Sequence, residues 1–93
     1  MARYAVEFSP RAWRDLERLS PEVAERIARR TKELGNHPEP RGDTVKRLQG
    51  FGIPTYRFRV GDYRALFRVG MSVVRILRVV HRSELDRAVE DLR

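Results

Sequence analysis

Cysteine is absent from the 93-residue sequence, which excludes disulfide staples, thiolate nucleophiles and thiolate-ligated zinc together. Two histidines, His37 and His81, are too few to build a metal site without carboxylate help. No apolar run approaches the ~20 residues of a membrane-spanning helix. The longest strand-like stretch, Val73 to Val80, is interrupted by Arg75 and Arg78. Met1 to Tyr4 run directly into an alternating pattern, so a cleavable signal is not expected. Walker-type phosphate loops, dinucleotide fingerprints and the HExxH and G-x-S-x-G motifs are missing as well. What remains is the expectation of one domain over residues 1–93, cytoplasmic, with no membrane partner and no cofactor.

Charge is what the chain has in excess. Twenty Lys+Arg stand against 13 Asp+Glu, a net +7, and all but Lys32 and Lys46 of the bases are arginine. The surplus is local. Between Lys46 and Arg82 lie Lys46, Arg47, Arg57, Arg59, Arg64, Arg68, Arg75, Arg78 and Arg82, with Asp62 the sole acid. A concentrated positive field on a small chain favours a polyanionic partner: nucleic acid, ribosome or an acidic protein segment.

Tyr4, Val6 and Phe8 alternate with Ala5 and Glu7 at the period of a half-buried strand. Ser9-Pro10 and Ser20-Pro21 each supply an N-cap followed by a first-turn proline. Ala12, Trp13, Leu16 and Leu19 form one apolar stripe, and Val23, Ile27, Ala28, Thr31 and Leu34 a second, closed by Gly35-Asn36 in the manner of a C-cap. The spacing predicts an antiparallel helical hairpin. Asn36 to Asp43 reads as a loop, and Thr44 to Gly50 leads into the sheet with Leu48 as core anchor. Near the end, Ser83 to Asp86 reads as a capping box ahead of a short helix bearing Leu85, Ala88, Val89 and Leu92.

The centre of the chain is more specific. Thr55 to Val60 and Tyr63 to Val69 flank Gly61-Asp62, a two-residue hairpin signal. That turn sets the register: Val60 opposes Tyr63, Arg59 opposes Arg64, Phe58 opposes Ala65, Arg57 opposes Leu66 and Tyr56 opposes Phe67. One face then carries Tyr56, Phe58, Val60, Tyr63, Ala65, Phe67 and Val69. The other carries Arg57, Arg59, Arg64 and Arg68. Like charges placed opposite one another destabilise a sheet, so an anionic ligand is expected to offset them. A last strand, Ser72 to Val80, ends in His81-Arg82. The expected fold is α+β, in the order β-α-α-β-β-β-α, with a mostly antiparallel, curved four-stranded sheet packed on the helical hairpin.

Arginine does not act as a base, but it holds phosphate oxygens bidentately and stabilises charge that develops in a transition state. RNA carries its own nucleophile, the 2′-OH, so a ribonuclease needs to bend the chain into line, neutralise the phosphate and move protons. Arg57, Arg59 and Arg64 fit the second task. His81, Asp86, Glu84, Tyr56 and Tyr63 are the candidates for the third, and His81 is the one whose ordinary pKa lies near neutrality. Lys46, Arg47, Arg68 and Arg78 are expected to add RNA contacts. A helix-turn-helix over residues 10–34 does not fit, because the positive excess lies elsewhere.

Over nearly its whole length the chain resembles the RelE/ParE superfamily of toxins from type II toxin–antitoxin modules. The resemblance runs through Phe8-Ser9-Pro10-Arg11-Ala12 with Asp15-Leu16 and Leu19, through Lys46-Arg47-Leu48-Gln49-Gly50, and through Tyr56-Arg57-Phe58-Arg59-Val60-Gly61-Asp62-Tyr63-Arg64 to Val80-His81-Arg82. It implies a RelE-like fold and a ribosome-dependent mRNA endoribonuclease (mRNA interferase) that cleaves by 2′-OH attack and inhibits translation. The implied catalytic set is Arg57, Arg59, Arg64 and Arg82, with His81 in support. The implied partners are a RelB-like antitoxin, the ribosome and mRNA, and operator DNA only through the antitoxin complex. Two positions depart from the family pattern. Lysines are common where Arg57 and Arg59 stand, and Asp86 occupies the place of a tyrosine that stacks on the substrate base. The alternatives are a ParE-like poison of DNA gyrase and a catalytically weakened toxin that serves to bind antitoxin and regulate its operon.

Overall fold

Both Ser-Pro pairs open helices. Helix α1 spans Pro10–Glu17 and α2 spans Pro21–Thr31, each with its proline at the start, where no amide donor is needed. Ser9 Oγ accepts from the Ala12 amide at 3.1 Å and Ser20 Oγ from the Val23 amide at 3.4 Å. The structure, a computed structural model, describes residues 2–93; Met1, part of the opening stretch read for a signal, lies outside the described residues.

After α2 the chain tightens into a 3-10 turn, Lys32–Gly35. Gly35 is not the left-handed cap expected from the sequence, since its φ is not positive. Its role is close approach: an added Cβ would lie 2.8 Å from the Tyr4 carbonyl oxygen, and the Tyr4 amide donates to the Gly35 carbonyl at 3.0 Å.

Five strands follow the order β1-β5-β4-β3-β2 across one sheet: β1 (Ala5–Phe8), β2 (Val45–Arg47), β3 (Tyr56–Val60), β4 (Tyr63–Val69) and β5 (Val73–His81). The β1–β5 pair is parallel and the others are antiparallel. The α+β class expected from the sequence holds, with one strand more than the four expected. The added strand is β2, three residues anchored by fully buried Val45, too short to display an alternating pattern.

The β3–β4 register is the expected one at all five pairs, turning on Gly61 with φ 57°. Phe58, Val60, Ala65 and Phe67 therefore face α1 and α2, where they close a core with Ala12, Leu16, Ile27, Leu34, Val45, Val74 and Ile76. Burying a side chain such as Phe58 or Phe67 contributes about 1.5–3 kcal/mol.

Strand β5 carries a bulge. Leu66 pairs with Arg78 and Phe67 with Ile76, so Leu77 is the extra residue. The bulge resets the alternation: Val74 and Ile76 point into the core before it, and Val79 after it. Without it, Arg78 would follow Ile76 inward. Instead Val80 joins Leu66 on the opposite face. There α3 (Leu85–Leu92) lays Leu85, Ala88, Val89 and Leu92 on Leu66 and Val80, with Leu48 alongside. The capping box expected at the start of α3 is not formed. The residue preceding the helix is Glu84, without a side-chain cap, and the Ser83 amide instead donates to His81 Nδ1 at 3.2 Å.

Beyond Phe8, β5 has no strand on its outer side, and α1 takes that role. Ser9 Oγ donates to the Leu77 carbonyl at 3.0 Å, and Asp15 Oδ2 accepts from the Val79 amide at 2.8 Å. Among the described residues no helix is long and apolar enough to cross a membrane.

Candidate functional site

On the sheet face away from the helical hairpin, strand pairing sets two rows of side chains. Lys46, Arg57 and Leu66 share one row, and Arg59, Arg64 and Val80 the next. Leu66 and Val80 lie beneath α3. The cations occupy the uncovered ground beside it, at the end of the sheet where β3 turns into β4. Arg82 enters from the 3-10 turn Arg82–Glu84, which is pinned to the hairpin turn by its own amide, donated to the Asp62 carbonyl at 2.7 Å.

Arg64 is the centre of the group. One of its terminal nitrogens donates to the Gly61 and Tyr63 carbonyls, both at 2.9 Å, which curls the guanidinium back over the turn. Burial pulls its pKa below the ordinary arginine value; the charges of Arg57, Arg59 and Arg82 add to this and Asp62 opposes it. Three guanidinium groups thus lie close enough to act on a fourth. The field here is positive and partly shielded from water, so an anion placed in it is attracted more strongly than on an open surface.

Two acids touch the rim. Asp43 Oδ1 is 2.9 Å from Lys46 Nζ and 4.0 Å from an Arg57 terminal nitrogen, and the Asp43 carbonyl accepts from Arg57 at 3.2 Å. Asp62 Oδ1 is 3.7 Å from Arg82 Nε. Among the described residues no carboxylate stands at salt-bridge distance from Arg59 or Arg64. The acids partner the ends of the cluster and leave its middle open.

The other residues picked out in the sequence are not gathered here. Arg68 shares the face but sits beyond the Leu66 row, with its Nε 2.9 Å from Thr55 Oγ1 and its guanidinium 5.9 Å from the Phe51 ring centroid. Arg47 opposes Tyr56 at the sheet edge, on the side of the helical hairpin. Arg78 is taken up by Asp15, through Nε at 2.8 Å and a terminal nitrogen at 3.3 Å, and its side chain is only 12% exposed.

His81 opposes Tyr63, with ring centroids 5.4 Å apart and planes at 90°, on the face opposite Arg64. Its Nδ1 is occupied by Ser83. It lines a polar cavity of 190 Å³ with Asp15, Arg18, Tyr63, Arg78 and Glu84. Tyr56 stacks on Phe67 at 5.3 Å, also away from the cations. Asp86 is exposed in the first turn of α3. No three His, Asp or Glu side chains converge as metal ligands among the described residues.

Sequence reading overlooked Asp43, which falls just outside the basic segment. The signal was there: an acid after a glycine, three residues ahead of Lys46.

A family model described as the ParE toxin of the type II toxin-antitoxin system, parDE, matches residues 6–86. Among solved structures, the chain is similar to the toxin–antitoxin complex RelBE2 from Mycobacterium tuberculosis, with 32% identity and a TM-score of 0.76 over 89% of this chain and 95% of that one. It is likewise similar to the archaeal RelE–RelB complex from Pyrococcus horikoshii, with 30% identity and a TM-score of 0.71 over 86% and 96%. A mutant of the Escherichia coli toxin RelE in the free state shares the fold, at 22% identity and a TM-score of 0.72 over the full length of both chains. No curated protein sequence matches.

Proposed function

Since the chain belongs to the RelE/ParE superfamily of type II toxin–antitoxin toxins, we propose that it is a ribosome-dependent mRNA endoribonuclease, with Arg57, Arg59, Arg64 and Arg82 as its phosphate clamp. The observation that carries this reading is the convergence of those four cations on one uncovered end of the sheet, with no carboxylate on Arg59 or Arg64.

In the proposed reaction the RNA 2′-oxygen forms a bond to the adjacent phosphorus, and the bond from phosphorus to the 5′-oxygen breaks. The products are a 2′,3′-cyclic phosphate and a 5′-hydroxyl. Arg59 and Arg64 hold the non-bridging oxygens and stabilise the extra negative charge of the pentacoordinate state; loss of one such donor typically costs about 10²–10³ in rate. Arg57 and Arg82 complete the clamp from either side, and Lys46 extends it along the RNA. The 2′-OH proton passes to solvent water, and water protonates the leaving 5′-oxygen, because the tyrosines and His81 lie on the other face. His81 serves as a positioning residue: by capping Ser83 it holds the turn that bears Arg82.

A cognate antitoxin segment is the proposed protein partner, as in the RelB–RelE complexes among the similar structures. An apolar groove of 380 Å³ between α1 and α2, lined by Trp13, Leu16, Leu19 and Ala24, suits the apolar face of an amphipathic helix.

The test is induction in cells followed by mapping of message ends. Cuts within translated codons that bear 2′,3′-cyclic phosphates, abolished by Arg64→Ala, are expected. Growth arrest with intact message would overturn this reading. The ParE description of the matching family model favours gyrase poisoning as the second reading, and a supercoiling assay with purified gyrase separates the two.

A further inference from the structure

The cation cluster carries a counter-ion of its own. Asp43 stands at the middle of a three-residue turn closed by Arg41 and Val45, whose amides and carbonyls exchange hydrogen bonds of 2.9 and 3.2 Å. Gly42 takes the left-handed φ of 49° that so tight a turn needs. The turn brings one carboxylate to two cations at once, because Lys46 and Arg57 face each other across β2 and β3. The hydrogen bond and charge of Lys46, followed by the charges of Arg57 and Arg59, hold the Asp43 carboxyl below its usual value despite some desolvation. Asp43 therefore sits where an anion bound by Lys46 and Arg57 would sit.

We propose that Asp43 is a specificity-determining residue, an internal stand-in that keeps small free anions off this end of the cluster while yielding to a chain of phosphates. The proposal rests on the reading of the cluster as a phosphate-binding surface. A carboxylate tethered by a short turn presents itself at an effective concentration on the order of millimolar, so a dilute single phosphate does not outcompete it. A chain already seated on Arg59 and Arg64 presents its next phosphate from within the complex, on equal terms. The carboxylate then gives way, because its own pairing is exposed and weak; the Asp43 side chain is 67% exposed.

The test uses the purified full chain and two probes: inorganic phosphate, and a 2′-O-methyl hexaribonucleotide that lacks the attacking hydroxyl. Asp43→Asn is compared with wild type and with Glu90→Gln, which removes a comparably exposed charge beside Arg93. Asp43→Asn is expected to raise phosphate affinity about threefold to fivefold, the upper part of the range that exposed ion pairs span, because one carboxylate here serves two cations. Oligonucleotide affinity should rise by less than about twofold, so the preference for the chain over the single ion narrows.

Unchanged or weaker phosphate binding in Asp43→Asn would overturn the proposal and mark Asp43 as a support for Arg57. Equal gains for both probes, a gain matched by Glu90→Gln, or a wild type that binds neither probe would overturn it too. Binding is read without cleavage, so the two ideas fail separately. A narrowed preference with no ribosomal cleavage sinks the nuclease alone, and cleavage with an unchanged preference sinks the stand-in alone.

Discussion

Arg78 and Arg64 belong to neighbouring strands and meet opposite fates. Arg78 is buried against Asp15, which accepts two hydrogen bonds from it and a third from the Val79 amide. Arg64 is partly buried among three other arginines and is offered only backbone carbonyls. The first arrangement is electrostatically complete inside the molecule. The second has no carboxylate of its own among the described residues. A buried cation with its carboxylate secures α1 to the edge of β5; a partly buried cation without one is where the proposed phosphate clamp has its centre.

The sharpest way to break this comparison is Asp15→Ala. It strands the Arg78 charge and leaves the Val79 amide without an acceptor, so a loss of about 3–5 kcal/mol is expected in urea unfolding. A loss under about 1 kcal/mol would show that Arg78 reaches water unaided and that the two arginines differ less than their partners suggest. Arg64→Ala probes the other region. Cleavage should fall by about 10²–10³, while stability holds or rises by up to about 1 kcal/mol as like charges separate. Destabilisation of the size expected for Asp15→Ala would instead make Arg64 a structural residue.

Smaller effects sharpen the picture. Ser9→Ala removes both a helix cap and a hydrogen bond to the Leu77 carbonyl, for an expected loss of about 1 kcal/mol, read as a shift in urea midpoint at constant slope. The Asp43 pairing supplies the smallest effect and a defined sign. Its carboxyl is depressed from 3.8, so the stabilisation is fully present above that value and disappears as pH falls through the lower folded-state value. Asp43 therefore adds no pH dependence to phosphate binding between pH 5 and 8, and a rise confined to stronger acid should vanish in Asp43→Asn.

Local chemistry was legible in the chain. Gly61-Asp62 set a two-residue turn, and the turn set which arginines share a face, because strand alternation has a period of two. The Ser-Pro pairs set where α1 and α2 begin. Alternation does not reveal what covers a face, however. Leu66 stands among arginines in sequence, yet it and Val80 anchor α3, so the face read as open is partly roofed and Arg68 is set apart from Arg64. Nor does alternation survive an inserted residue: the bulge at Leu77 turns Arg78 out of the core and onto the Leu66 face, at the far side of α3 from Arg64, where it meets Asp15, a carboxylate 63 positions earlier. Contacts of that range depend on how elements dock. The same holds for the parallel pairing of β1 with β5 and for the meeting of Asp43 with Arg57, 14 positions on.

The union of β1 with β5 has a consequence for synthesis. Ala5 finds its mate in Val73, far later in synthesis, and Arg82 is made later still. Such long-range closure comes late in folding, since the intervening chain must exist before its ends can join. A polypeptide halted before β5 has an unmatched β1 and lacks Arg82, so a fragment released by interrupted translation cannot assemble the cation cluster.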